Sequence, residues 1–347
     1  MQKIKKISLT AAEAQTEKSA AQAARSGQAL LKSCADGRRI RHMRILFMGT
    51  AAFAAEALSE LAASEHEVAA VVAQPDKASS RRGRKVVFSP VKVTAEANGL
   101  PLYQPQKAGD IAGELSGLGC DIAVVCAYGQ LLDSRLLNMC RYGAVNIHAS
   151  LLPLYRGAAP VHRALIDGQK ETGVSIIRMN EKLDQGDVIL YKKTQIEDTD
   201  NVSSLYERLA KIGSGALLEA LCLIESGQAV YTKQDESLAG YAHKISREER
   251  EVSFFADARK TVNKIRGLDS FPGAYAVLDG RRIGLYGAVY YEYKNDPGAV
   301  SGLDGNVLLI GAEGGTVGIA RVKPEGRREM TGREFYSGLS GSGVRFS

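Results

Sequence analysis

Several features that mark common protein classes are scarce or absent in this sequence of 347 residues. It has no tryptophan, and its five cysteines form no CxxC pair. An odd, scattered set of cysteines favours neither a disulfide framework nor a structural zinc site, so we expect a reducing, cytoplasmic compartment. No segment reaches the ~18 consecutive apolar residues that span a bilayer, so we expect no membrane partner. The N-terminal lysines are not followed by an apolar stretch, so a secretion signal is not expected either.

Motifs for nucleotide cofactors, metals and covalent nucleophiles are also missing. The segment Met48–Phe53 follows a predicted strand but lacks the GxGxxG pattern of a dinucleotide site, and there is no Walker A motif. None of the five histidines stands at a metal-ligand spacing. No serine or cysteine lies in a nucleophile elbow or triad motif. The sequence therefore gives no support to a nicotinamide enzyme, a phosphate-loop NTPase, a metalloenzyme or a covalent hydrolase.

The composition is that of a folded protein with unevenly distributed charge. Hydrophobic residues make up 45% and charged residues 24% of the chain, which excludes wholesale disorder and suffices for one large core or two ordinary ones. The whole net charge of +6 lies in residues 1–42, which hold nine Lys and Arg against three Asp and Glu. Residues 43–243 sum to −3 and residues 244–347 to +3. A polyanionic partner would therefore have to bind local basic patches.

The pattern of apolar residues predicts an extension followed by an α/β domain. Residues 1–42 have few apolar positions at helical spacing, so we expect a disordered or marginally helical extension that the activity does not need. Residues 43–227 alternate short apolar runs with helical patterns, which predicts a doubly wound, mainly parallel, Rossmann-like sheet. The predicted strands include Arg44–Met48, His66–Ala73, Asp121–Ala127 and Gly143–Ile147. Ligands bind such sheets beyond the carboxyl ends of the strands.

The last third of the chain has a different pattern. Residues 228–243 are predicted to be a linker, and Ser253–Leu268 a helix. From Ala274 onward, short strands alternate with glycine-rich turns. This spacing predicts that residues 244–347 form a small, OB-like β-barrel.

Two polar side chains follow each other closely at the end of a predicted strand. The segment Asn146–Pro153 begins where the strand Gly143–Ile147 ends. Asn146 and His148 are two residues apart and share one face if the strand persists. An amide and an imidazole that face one point can stabilise a carbonyl oxygen that gains negative charge. A satisfied polar pair at a strand end is the alternative, and the spacing alone does not decide between them.

A carboxylate that could accompany this pair lies further along the chain. The segment Leu183–Asp187 has the sequence LDQGD and lies between two predicted strands. Asp and Gly are turn residues, so an ordinary turn is one interpretation. The other is that Asp184 places its carboxylate beside the His148 imidazole and orients it.

A basic segment follows the second predicted strand. Lys77–Lys85 contains five cations and no acid. At the ligand edge of the sheet, such a loop could contact the phosphates of a nucleic acid. A solvated surface loop is the alternative interpretation.

Together and in this order, the motifs resemble the folate-dependent formyltransferases, and among them the methionyl-tRNA formyltransferases. The resemblance extends from about Met43 to the C-terminus. Its most specific part is NIHASLLP with the downstream LDQGD, which is typical of folate-dependent formyltransferases. The motif RGAAP and the C-terminal segment narrow the resemblance to the tRNA enzymes and their closest relatives. The sequence departs from the family at Asp269–Ala274, where the family has a tryptophan, and residues 1–42 match nothing in it.

The resemblance implies a reaction and a set of site residues. The donor would be 10-formyltetrahydrofolate, the acceptor would be the α-amine of methionine on initiator tRNA, and no metal would take part. The family's catalytic Asn, His and Asp fall on Asn146, His148 and Asp184. Its tetrahydrofolate-contact segment falls on Ser150, Leu151, Leu152 and Pro153, and its tRNA-contacting basic loop on Arg82, Arg84 and Lys85. We expect a monomer.

Three other functions stay open at this point. A sugar-nucleotide formyltransferase would use the same donor and a similar two-domain layout, but a small substrate would not need five cations in one loop. A hydrolase could release formate from the same site. An RNA-binding protein on a degenerate formyltransferase scaffold would have no need to keep Asn146, His148 and Asp184.

Overall fold

The computed structural model describes residues 42–78, 86–339 and 343–346. The chain divides into two compact units. The first contains the described residues up to His148 together with Val174–Lys192 and Lys211–Gln234. The second contains Ala149–Gly173, Lys193–Ala210 and the described residues from Asp235 onward. Because the units are not separated at a single point of the chain, the domain boundaries at residues 227 and 244 stay predictions.

A mainly parallel sheet organises the larger part of the chain. The strands up to residue 195 are β1 (Arg44–Gly49), β2 (Glu67–Val72), β3 (Lys77–Ala78), β4 (Val86–Val87), β5 (Leu102–Tyr103), β6 (Ile122–Cys126), β7 (Ala144–His148), β8 (Glu171–Arg178) and β9 (Val188–Gln195). Seven of them form one sheet in the order β5-β2-β1-β6-β7-β8-β9, and β3 pairs with β4 in a separate ribbon. Strands β5, β2, β1, β6 and β7 pair in parallel, whereas β7 and β8 are antiparallel. The predicted α/β class is confirmed.

Helices cover both faces of this sheet. The helices up to residue 225 are α1 (Ala52–Ala63), α2 (Pro90–Ala97), α3 (Ala112–Gly117), α4 (Ser134–Leu137), α5 (Pro160–Ile166) and α6 (Val202–Glu225). On one face, Met48 of β1 belongs to a buried cluster with Leu115 of α3 and Leu136 of α4. On the other, a Cβ at Gly213 of α6 would lie 3.0 Å from the Ile147 side chain of β7. In the described ranges, no helix is long and apolar enough to cross a membrane.

The C-terminal part is built on an antiparallel sheet. Its elements are α7 (Ala258–Leu268), β10 (Ala274–Leu278), β11 (Arg281–Tyr291), β12 (Val300–Asp304), β13 (Val307–Ala312), β14 (Gly315–Pro324), β15 (Met330–Thr331) and α8 (Gly332–Ser337). The strand order is β10-β11-β14-β13-β12, and β15 pairs with β14. Ile265 and Leu268 of α7 are buried in one cluster with Leu285, Ile310 and Val317 of the sheet. The predicted small β domain at the C-terminus is confirmed as an antiparallel sheet.

Some predicted elements have the observed bounds, whereas the predicted strands β1, β2, β6 and β7 differ from the observed ones by one residue at one or both ends. Helices α5 and α6 and strand β10 begin and end where the sequence predicts. The predicted helix start at Ser253 is wrong, because Asp257 caps the helix by accepting a hydrogen bond from the Lys260 amide at 2.9 Å. Phe254 precedes the helix and is fully buried against Phe346 instead. The predicted extension up to residue 41 lies outside the described residues.

Candidate active site

Asn146 and His148 lie at the carboxyl end of a central strand. In β7, Asn146 is paired with Val125 of β6 and Ile177 of β8, and His148 is paired with Ser175 of β8. The strand persists through His148, so the amide and the imidazole share one of its faces. His148 is buried, with 6% of its surface exposed, and Asn146 is half-buried. The two side chains therefore stand at the sheet edge where ligands bind in folds of this class.

The loop between β8 and β9 brings Asp184 to His148. An Oδ1 of Asp184 lies 3.7 Å from Nδ1 of His148, and the two side chains are 11% and 7% exposed. This separation allows a charge interaction and is longer than a direct hydrogen bond. The structure thus brings together the NIHASLLP and LDQGD motifs, which are far apart in the sequence. A functional role of LDQGD requires this proximity.

The backbone of this loop needs its particular residues. Asp184 has a φ of 52°, in the left-handed region where aspartate is among the better-tolerated residues. A Cβ at Gly186 would lie 1.8 Å from the carbonyl oxygen of Arg178, so no other residue fits without a backbone shift. The Arg178 amide donates to the Asp187 carbonyl at 2.9 Å and closes the base of the loop. The Asp and Gly of the motif are therefore explained by the turn itself as well as by the position of the carboxylate.

A glutamine that the sequence does not single out also contacts this loop. Nε2 of Gln234 donates to the carbonyl oxygens of Asp184 at 2.8 Å and Gly186 at 2.7 Å. Just before it, Thr232 exchanges two backbone hydrogen bonds with Val188 at the start of β9. Residues 228–243 were predicted only as a linker, and an isolated glutamine in a polar segment gives no sequence signal for such a contact.

The segment Ser150–Pro153, the predicted folate contact, follows His148 directly in the chain. Ser150 is fully buried, and its hydroxyl donates to the Leu154 carbonyl at 2.6 Å. Leu152 is buried, whereas Leu151 and Pro153 are half-buried. The Pro153 carbonyl accepts a hydrogen bond from the Gly240 amide at 3.1 Å. The segment therefore has a defined backbone, held by contacts within its own unit.

A buried arginine stands next to this segment. Arg156 is completely buried, and its guanidinium forms two hydrogen bonds to the Glu236 carboxylate, at 2.9 and 2.7 Å. The hydrogen bond with Glu236 raises the pKa of Arg156. The Arg156 amide donates to the Gly240 carbonyl at 2.8 Å, and the Ala242 amide donates to the Arg156 carbonyl at 2.7 Å. In the sequence, Arg156 is recognisable only as the first residue of the RGAAP motif, and no pattern indicates that Glu236 is its partner.

Loss of the carboxylate should destabilise the protein, because a buried guanidinium would lose its charge partner. The Glu236 side chain is 64% exposed, so water screens part of the interaction. We expect Glu236→Ala to lower the free energy of unfolding by about 1–2 kcal/mol, the range for hydrogen bonds to charged groups after this discount. Urea denaturation measures the effect.

The control for this prediction is an exposed ion pair of the same unit. Lys170 and Asp198 are 3.1 Å apart with side chains 76% and 86% exposed. Asp198→Ala should change the free energy of unfolding by less than about 0.5 kcal/mol. Equal effects of Glu236→Ala and Asp198→Ala would mean that burial of Arg156 adds nothing to its pairing.

The predicted tRNA-contact residues lie outside the described residues. Arg82, Arg84 and Lys85 belong to the segment 79–85 that is not described. The strands on either side of it, β3 and β4, are paired antiparallel, with Lys77 opposite Val87. The basic segment is therefore the connection between two paired strands.

Burial disfavours the thiolate form of three cysteines. It raises the pKa of Cys126, the last residue of β6, and raises the pKa of Cys140 to about 12. Burial also raises the pKa of Cys120. Because the thiolate is the nucleophilic form, burial makes these three thiols poorer nucleophiles. Within the part of the chain that the structure describes, no group of three or more His, Cys, Asp or Glu side chains could hold a metal ion.

Comparison with known proteins identifies the family. Residues 43–221 match the family described as "Formyl transferase", and residues 244–340 match "Formyl transferase, C-terminal domain". A methionyl-tRNA formyltransferase of Geotalea daltonii is 40% identical over 85% of this chain and 95% of its own length. Those of Moorella thermoacetica and Streptococcus sanguinis are also 40% identical, over 85% and 86% of this chain and 96% and 97% of their own lengths. The chain belongs to the methionyl-tRNA formyltransferase family.

Solved structures of other proteins share the fold. HypX from Aquifex aeolicus in complex with tetrahydrofolic acid superposes with a TM-score of 0.62 at 24% identity, covering 87% of this chain and 48% of that one. WlaRD, a sugar 3N-formyl transferase, has a TM-score of 0.59 at 15% identity, covering 83% of this chain and 100% of that one. At these identities the likeness concerns the fold. The family predicted from NIHASLLP and LDQGD is confirmed, and the matched range 43–221 includes Asn146, His148 and Asp184.

Proposed function

We propose that this protein transfers the formyl group of 10-formyltetrahydrofolate to the free α-amine of methionine on initiator tRNA, which gives formylmethionyl-tRNA for translation initiation. The observation that carries the proposal is the grouping of Asn146, His148 and Asp184 in a chain 40% identical to methionyl-tRNA formyltransferases over most of its length. The three side chains supply an amide donor, an imidazole and a carboxylate. These are the groups that acyl transfer to an amine needs.

Asn146 and His148 would stabilise the charge that develops during transfer. Attack of the amine on the formyl carbon converts the formyl oxygen into an oxyanion. The Asn146 NH₂ and a protonated His148 would donate hydrogen bonds to that oxygen from one face of β7. Because His148 is buried, water competes little for the same interaction, and fixed donors are worth more in such surroundings. The amine is itself the nucleophile, so no covalent enzyme intermediate is needed.

Asp184 would handle the protons. Its carboxylate lies 3.7 Å from Nδ1 of His148, which allows it to orient the imidazole. It would also accept a proton from the attacking amine, directly or through one water molecule. A proton would then pass to N10 of tetrahydrofolate as the bond between the formyl carbon and N10 breaks. The amine therefore loses the proton that the leaving group gains, and no net acid or base is consumed.

The segment after His148 would hold the donor. The segment Ser150–Pro153 follows the proposed oxyanion donors closely in the sequence. Its backbone could therefore bind the formyl donor beside Asn146 and His148. The buried Ser150 hydroxyl donates to the Leu154 carbonyl, which keeps the local backbone in one conformation. Support for a folate ligand in this fold comes from the structure of HypX, which was solved in complex with tetrahydrofolic acid.

The tRNA would be bound by cations outside the chemical site. Arg82, Arg84 and Lys85 would contact the acceptor end, and the C-terminal part, with its net charge of +3, would contact the tRNA body. Not every arginine there is available, because Arg328 is paired with Glu334 at 2.7 Å. We expect the protein to act as a monomer in the cytoplasm and without a metal.

One assay tests the function. Purified protein is incubated with 10-formyltetrahydrofolate labelled in the formyl group and, separately, with methionyl initiator tRNA, methionyl elongator tRNA or a dTDP-amino sugar. We expect label on the initiator tRNA, much less on the elongator tRNA and none on the sugar. Label on the sugar alone would make the protein a sugar-nucleotide formyltransferase. Labelled formate with every acceptor would make it a hydrolase.

A further inference from the structure

The side-chain amide of Gln234 closes the loop that carries Asp184. Its single nitrogen Nε2 donates to two carbonyl oxygens of that loop, those of Asp184 at 2.8 Å and Gly186 at 2.7 Å. We propose that Gln234 is a positioning residue: it fixes the direction of the Asp184 carboxylate toward His148 and acts on the reaction only through that geometry. The proposal rests on the proposed function, since it assigns Gln234 a role in the same site.

The two contacts determine how the peptide groups of the loop are oriented. The accepting carbonyls lie on either side of Gln185, so one amide spans the turn and fixes both of its ends. A carbonyl oxygen cannot rotate away from a donor without turning its whole peptide plane. Turning the peptide plane that follows Asp184 changes its ψ, the angle that relates this plane to the bond from Cα to Cβ. Under the proposal, the Gln234 amide limits this change and so helps to keep the carboxylate directed toward His148.

Other hydrogen bonds also hold this loop. The backbone pairs between Arg178 and Asp187, and between Val188 and Thr232, fix its base. Within the loop, Nδ2 of Asn180 donates to the Gln185 carbonyl at a longer 3.2 Å. Asp184 itself is in the left-handed region of backbone conformation, which a non-glycine residue leaves readily unless its surroundings hold it there.

A small displacement of Asp184 matters because of its distance from the imidazole. The separation of 3.7 Å already exceeds direct hydrogen-bond length, so further movement weakens the interaction with His148. Misplacement of a catalytic group by about 1 Å can cost on the order of 10²-fold in rate. The substrates do not need Gln234 for binding under this proposal, so the loss should fall on kcat and leave KM nearly unchanged.

The kinetic test compares Gln234→Ala with a matched control. Asn98, at the end of α2 in the first unit, donates from its amide nitrogen to the Thr94 carbonyl at 2.8 Å. We expect Gln234→Ala to lower kcat by at least about tenfold, with KM for both substrates within about threefold of wild type. Asn98→Ala also removes an amide donor from the first unit and should leave kcat close to wild type. Equal kcat values for the two variants would overturn the proposal.

A second substitution separates hydrogen bonding from packing. Gln234→Glu keeps the size and shape of the side chain but presents oxygens, without hydrogens, to two carbonyl oxygens. We expect kcat of Gln234→Glu to fall at least as far as that of Gln234→Ala. A kcat near wild type for Gln234→Glu would show that the side chain only fills space, and the positioning role would be rejected.

Hydrogen exchange gives a readout that does not depend on what the enzyme formylates. In Gln234→Ala, amides of the peptide covering residues 180–187 should exchange faster than in wild type, while peptides of β1 and β6 should be unchanged. Unchanged exchange at 180–187 would overturn the proposal even if kcat fell. If wild type does not formylate methionyl-tRNA, the proposed function fails, yet faster exchange in Gln234→Ala alone would still support the role of the amide in the loop.

Discussion

His148→Ala, Asn146→Ala and Asp184→Ala should each lower kcat for formyl transfer to methionyl-tRNA by at least about 10²-fold, the typical cost of removing one group that stabilises an oxyanion. The amide and imidazole donate from one face of β7, and the carboxylate lies 3.7 Å from the imidazole. Because these interactions strengthen as charge develops, the loss should appear in kcat and in kcat/KM equally. Single-turnover measurement with labelled donor gives the chemical rate directly.

The control for these variants is an amide of the same unit that is remote from β7. Nδ2 of Asn98 donates to the Thr94 carbonyl at 2.8 Å, in an exposed position at the end of α2. Asn98→Ala should fold and turn over like wild type. A near wild-type rate for Asp184→Ala would contradict its role as proton acceptor and leave Asn146 and His148 as the only chemical groups of the proposal.

The distance between His148 and Asp184 also predicts how their substitutions combine. Because Asp184 is proposed both to orient the imidazole and to accept a proton from the amine, removing both groups should cost more than removing His148 alone but less than the product of the two single losses. The double variant His148→Ala with Asp184→Ala measures this. Fully multiplicative losses would mean that the carboxylate acts on the amine independently of His148.

The central features of the fold and site are predictable from the sequence because they depend on local patterns. Strand β7 is an apolar run, so its presence is predictable and the shared face of Asn146 and His148 follows from the strand period, although the strand lies one residue further along than predicted. Helix α6 repeats its apolar residues over its whole length and has the predicted bounds. The contact between Asp184 and His148 joins residues far apart in the sequence, so the residue pattern leaves it as one of two interpretations and only the resemblance to the formyltransferases favours it.

The contacts that hold the site together could not be predicted in this way. Gln234 reaches the Asp184 loop across about 50 residues of chain, and Glu236 reaches Arg156 across 80. Neither contact leaves a periodic pattern, because each depends on one side chain in an irregular segment. That segment, residues 228–243, has the polar composition of a linker, and composition carries no information about which carbonyl or guanidinium a side chain meets.

Removing two arginines from the basic segment should change how methionyl-tRNA binding responds to salt. We expect Arg82→Ala with Arg84→Ala to raise KM for methionyl-tRNA about tenfold at low salt. Each lost phosphate contact should reduce the slope of log KM against log salt by about 0.7–0.9, because each contact releases counterions. KM for 10-formyltetrahydrofolate should hardly change, since the proposal assigns the folate to Ser150–Pro153. Steady-state kinetics between low and physiological salt measures both quantities.

A control variant with the same loss of charge distinguishes direct phosphate contacts by Arg82 and Arg84 from attraction of tRNA by the net charge of the protein. Arg141 and Lys211 are exposed and lie in other parts of the first unit. Arg141→Ala with Lys211→Ala removes two positive charges as well, but should leave the salt slope unchanged, because exposed charges more than about 10 Å from a phosphate are screened at 0.1 M salt. If both double variants flatten the slope equally, the arginines attract tRNA only through net charge. If neither does, the connection between β3 and β4 has no part in tRNA binding.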